Sequence, residues 1–101
     1  MNVYIITIKS LFNRFNTTEI KGVYASLEAA TEALKYIENV QKEALAADCG
    51  CYKTAIKRSS KKGNKNSSDR RTVTLSYQKA CGNVEKVFIT IREECVRGLN
   101  K

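Results

Sequence analysis

The residues best equipped to do chemistry lie in one short stretch. Residues 57–71, KRSSKKGNKNSSDRR, carry Lys57, Arg58, Lys61, Lys62, Lys65, Arg70 and Arg71 against one acid, Asp69. Seven cations less one anion make six of the net +8 that the chain holds from 18 Lys and Arg and 10 Asp and Glu. Clustered cations suit a polyanion, because each phosphate they neutralise releases condensed counterions and so gives affinity without reading sequence. Ser59, Ser60, Asn64, Asn66, Ser67 and Ser68 add groups that hydrogen-bond phosphate oxygens, and Gly63 lets backbone approach closely. Base-stacking equipment is missing within the stretch. Its flanks supply Tyr52 and Tyr77, which can stack a base if their rings face outward. An acidic protein surface is the rival partner, and a solvated charged surface with no specific role is the bland alternative.

The other chemistry-bearing residues make weaker sets. Cys49, Cys51, Cys81 and Cys95 form a C-x-C followed by two single cysteines, without the paired knuckles of structural zinc sites, so the expectation is reduced thiols, no metal and no cofactor. Cys81, in an expected turn, is the candidate for exposure. The chain has no histidine, which removes the commonest general base and the Ser-His and Cys-His pairs. Glu19 and Lys21 form an E-x-K of the kind used by metal-dependent nucleases, but no acid precedes them. Glu93 and Glu94 are adjacent on an expected strand and so point to opposite faces. A histidine-free ribonuclease built on Lys, Arg and Tyr is the enzymatic alternative. The leading expectation is a protein that is not an enzyme.

What must position these residues is a small framework. A chain of 101 residues buries enough surface for one core, so a single domain over 1–101 is expected. NVYIITIK reads as a strand over 2–10, apolar on both faces, and EIKGVYAS resumes a strand after the turn-prone LFNRFNTT. Ser26 caps a helix starting at Leu27, with Glu28 in the first turn and an apolar stripe of Leu27, Ala30, Ala33, Leu34, Ile37, Val40, Ala44 and Leu45 persisting to about residue 47. Glu38 and Lys42 read as a surface pair four apart, worth about 0.2–0.5 kcal/mol. CYKTAIK over 51–57, TVTLSYQ over 72–78 and VEKVFITIRE over 84–93 alternate as strands, the last with Val87, Ile89 and Ile91 set against Phe88 and Thr90. The expected class is α+β, one long helix on an antiparallel sheet in the order β-β-α-β-β-β. On this reading 57–71 is a flexible basic loop that orders only on a partner.

GVYASLEAATEAL, residues 22–34, adds a resemblance. A strand ending in V-Y, a serine and then a Glu- and Ala-rich helix resemble small accessory proteins encoded by bacteriophages, over roughly the first 40 residues. The resemblance implies a non-enzymatic protein that inhibits a bacterial restriction, CRISPR or toxin-antitoxin component. It carries no site residues with it. Combined with the basic stretch, it gives the functional expectation: an inhibitor that engages RNA, DNA or a nucleoprotein through 57–71, with a stand-alone RNA- or DNA-binding module as the alternative. No apolar run approaches the roughly 18 residues of a membrane span, and the expected location is the cytoplasm. A second copy of the chain is a further expected partner, since a one-helix sheet leaves a face or an edge to cover.

Overall fold

The structure, a computed structural model, describes residues 2–12, 15–49, 56–63, 68–78 and 84–95. The chain folds as β1 (Asn2–Phe12), β2 (Phe15–Tyr24), α1 (Leu27–Cys49), β3 (Lys57–Lys62), β4 (Asp69–Gln78) and β5 (Val84–Cys95). The five strands form one antiparallel sheet in the order β2-β1-β5-β4-β3, so β5, last in sequence, is the middle strand and β2 and β3 are the edges. This is the α+β class and element order that the hydrophobic patterning predicts.

Helix α1 starts where the cap chemistry puts it. The Ser26 hydroxyl accepts a hydrogen bond from the Ala29 amide at 3.1 Å, and the Ser26 carbonyl accepts one from Ala30 at 3.1 Å, satisfying amides that a helix start leaves unpaired. At 23 residues the helix is about 34 Å long and lies across one face of the sheet. Its buried Ala30, Leu34 and Leu45 form one core with Ile6, Ile8, Ile56, Val73, Leu75, Val87, Ile89 and Ile91, six of which are fully buried β-branched or leucine side chains. Period-2 alternation explains the set: even residues of β1 and odd residues of β4 and β5 point to the helix. The same parity puts Tyr77 on the helix side, packed against the core.

Three expectations change. First, β3 is Lys57–Lys62, inside the stretch read as a loop, and β4 begins at Asp69, so at least nine of residues 57–71 are strand rather than flexible loop. Of the strand expected over 51–57, residues 51–55 lie outside the described residues, Ile56 is a buried bend, and Lys57 is the first residue of β3. Second, the first hairpin is longer than its sequence pattern, pairing through Phe12↔Phe15. Third, the buried helix stripe includes Glu38, while Leu27, Val40 and Ala44 are exposed.

Candidate nucleic-acid interface

The basic stretch is built as a hairpin at the edge of the sheet. β3 pairs with β4 from Lys57↔Ser76 to Lys62↔Arg71, and the Gly63 amide donates to the Arg70 carbonyl at 3.0 Å. Gly63 is required there by space: a Cβ at this position would lie 1.6 Å from the Asp69 carbonyl oxygen. The glycine therefore serves the close approach of the chain to itself, not to phosphate. Lysine and serine are poor strand formers, so the pairing with β4 rather than local preference makes KRSSKK a strand.

Strand alternation then sorts the cations. Arg58, opposite Leu75, points to the helix side and its Nε donates to Glu38 Oε2 at 2.7 Å. Lys42 Nζ reaches the same oxygen at 3.0 Å, so Glu38 on the helix ties the β3 edge to α1. Burial of the Glu38 carboxyl acts to raise its pKa, but hydrogen bonds and charge from Arg58 and Lys42 together outweigh it and hold the group below the usual carboxylate range. Arg71 donates from Nη1 to Ser60 Oγ at 2.7 Å. Arg70 sits at a bulge between Asp69 and Arg71, and its Nε donates to Glu93 Oε1 at 2.6 Å. That hydrogen bond is the main cause holding the Glu93 carboxyl below its usual range, with Asn2 donating to the other oxygen. All three arginines are thus engaged with the protein itself.

The lysines are placed differently. Lys57 and Lys61 point to the face of the sheet opposite the helix, and Lys62 lies at the hairpin end of β3; all three are exposed and have no acidic partner among the described residues. Lys65 and Tyr52 lie outside the described residues, as does Cys81. Tyr77 is no stacking platform, because strand parity turns its ring into the core side.

The face that carries Lys57 and Lys61 is covered by no described element. Its register brings together residues that the charge pattern alone does not: Ser59, Thr74, Phe88, Lys9 and Thr18 form one row across all five strands, and Lys61, Thr72, Thr90, Thr7 and Ile20 form the next. The Thr72 and Thr90 hydroxyls are 3.3 Å apart, which confirms that they share this face. Lys57, Ser76, Lys86 and Leu11 make a third row. The resulting surface is rich in hydroxyls and lysines, with an apolar margin of Ile20 and Val23, 65% and 59% exposed, at the β2 edge. Lys9, Lys86 and the threonines were missed from the sequence as site residues; Thr72, Thr74, Lys86 and Thr90 were signalled by the polar parity of β4 and β5, whereas Lys9 sits on β1, whose apolar residues on both faces give no such signal.

Among the described residues, the remaining candidates do not assemble into a catalytic site. Glu19 and Lys21 pair with each other at 3.2 Å on β2. Glu93 and Glu94 point apart as strand parity requires, Glu94 accepting from Arg92 at 2.8 Å. Cys95 is a free, exposed thiol at the end of β5, and the described residues hold no cluster of metal-ligating side chains. No helix among them is long and apolar enough to cross a membrane. Comparison with known protein families, with curated proteins and with solved structures finds no match for the chain.

Proposed function

We propose that this protein is a small, non-enzymatic binder of nucleic acid that grips a phosphate backbone with the β3 edge and the β3–β4 hairpin. The observation that carries the reading is the division of labour within the basic stretch: Arg58, Arg70 and Arg71 are used internally, while Lys57, Lys61 and Lys62 are exposed without acidic partners among the described residues. Lysines on an extended, hydrogen-bonded strand project from a backbone that is already ordered, which lowers the ordering cost that a floppy basic loop would meet on binding. Ser59 and the threonines beside them supply hydroxyl donors for phosphate oxygens. The phage-type inhibitor role implied by the resemblance would act through this same surface, in the cytoplasm of a bacterial host, with nucleic acid joining the protein to its target.

The test is equilibrium binding to short RNA and DNA over a salt series, comparing wild type with Lys57→Gln/Lys61→Gln/Lys62→Gln. The arginines stay, since removing them would disturb the fold. A linear fall of log affinity with log salt, whose slope shrinks by roughly 2 to 3 in the variant, supports the reading. Equal binding by the two proteins, or no binding at low salt, defeats it.

A further inference from the structure

Phe88 occupies the centre of the sheet face that no described element covers. It lies on the middle strand, flanked by Lys9 on β1 and Thr74 on β4, with Thr18 and Ser59 completing the row to both edges. It is half-buried, with part of its ring surface open, unlike its neighbours Val87 and Ile89, which are fully buried beneath the helix. Standard strand spacings put Lys9 about 5 Å away across the sheet, Lys86 about 7 Å along the strand, and Lys57 and Lys61 within roughly 12 Å. None of these four lysines has an acidic partner among the described residues, and each is exposed. A single large aromatic is therefore bordered mainly by cations and hydroxyls, with Leu11 as its apolar diagonal neighbour.

We infer that the open face of the sheet is a platform for single-stranded nucleic acid, with Phe88 stacking an unpaired base while Lys9, Lys57, Lys61 and Lys86 hold the phosphates around it. The inference rests on the proposed backbone-binding function and gives it a substrate class. Duplex bases are stacked on one another and offer no free π-face to a side chain on a flat sheet, whereas unpaired bases stack on aromatics readily and with little sequence preference. The charge around Phe88 argues against a second copy of the chain as the occupant, because a two-fold pairing of this face would bring the four lysines of one protomer towards those of the other, and Glu94, an acid that the register puts on this face, is already paired with Arg92. The exposed apolar side chains Ile20 and Val23 lie on the edge strand β2, with Ile20 diagonal to Lys9 across the β1–β2 pair, so they border the lysine cluster on one side only.

The experiment is a fluorescence-anisotropy titration of the full chain with labelled 12-nucleotide oligothymidine, oligouridine and a duplex of equal length. Wild type is compared with Phe88→Ala, Phe88→Leu and Phe88→Tyr, with circular dichroism confirming the fold of each. Phe88→Ala and Phe88→Leu are expected to weaken single-strand binding by about 10- to 100-fold, leave duplex binding within about twofold, and Phe88→Tyr to restore the wild-type value. Phe88→Leu preserves apolar bulk, so it reads out stacking even if the alanine variant folds poorly. Undiminished single-strand binding by Phe88→Leu, with binding still lost in the lysine variant, overturns the platform and leaves backbone binding standing. Absence of binding by wild type to every oligonucleotide overturns both. A Phe88 variant that changes a dimer to a monomer while leaving single-strand affinity unchanged identifies a second copy as the occupant and also overturns it.

Discussion

The two faces of the sheet use the same alternation to opposite ends. On the helix side, parity collects Ile6, Ile8, Val73, Leu75, Val87, Ile89 and Ile91 into a core sealed by α1, and arginines bind internal partners at the rim. On the other side it collects threonine, serine and lysine around one phenylalanine. Arginine and lysine divide accordingly. A planar guanidinium suits fixed hydrogen-bonded pairing within the fold, while an ammonium on a flexible stem suits a mobile or external anion. Charge alone thus overstates a binding site: of the seven cations in residues 57–71, three hold the hairpin in place.

Substitutions on the two faces sharpen this contrast. Ile89→Ala, at the fully buried centre of β5, is expected to cost about 3 kcal/mol in urea unfolding, whereas Thr90→Ala beside it on the open face should cost under about 1 kcal/mol. Equal losses would mean that the open face is covered. Gly63→Ala, with its Cβ driven against the Asp69 carbonyl, should lose more than about 1 kcal/mol and shift the amide resonances of the β3–β4 hairpin. Arg58→Ala leaves the Glu38 carboxylate buried with Lys42 alone, at an expected cost of about 1–2 kcal/mol, and should raise the Glu38 pKa measured by NMR. Lys57→Ala, one residue earlier and facing the other way, should change stability by less than about 0.5 kcal/mol while weakening polyanion binding.

Acid acts on the same contrast. Glu38 and Glu93 have folded-state pKa values below their ordinary 4.5, so they take up protons more readily in the unfolded chain. Their contribution to stability is complete above about pH 5.5 and is lost as pH falls through the unfolded value and then the folded values. Urea midpoints should be flat from about pH 6 to 7 and fall below about pH 4.5, with a smaller fall in Arg58→Ala. A midpoint that rises on acidification would contradict the two pairings.

Much of the framework was legible because strong local signals agreed with the fold. The alternation in TVTLSYQ and VEKVFITIRE marks β4 and β5, and Ser26 marks the start of α1. β3 was not legible, since KRSSKK has neither apolar alternation nor β-branched residues and becomes a strand only through its partner. Glu38 looked like a surface charge until Arg58 arrived above it. Ile20 and Val23, three apart, would fall on opposite faces of a regular strand. The irregularity of β2 between the partners of Ile6 and Thr7 puts both on the open one. The lysines of the site were visible in the sequence, but their separation from the arginines needed the register.

The most direct test of the account is a backbone amide NMR titration of the full chain with a short single-stranded oligonucleotide at low salt. The predicted result is chemical-shift change concentrated on Lys57, Ser59, Lys61, Thr72, Thr74, Phe88 and Thr90, fading as salt rises, with Glu28, Glu32, Lys35 and Asn39 on the outer side of the helix unmoved. Shifts centred on α1, or no shifts at all, would contradict it.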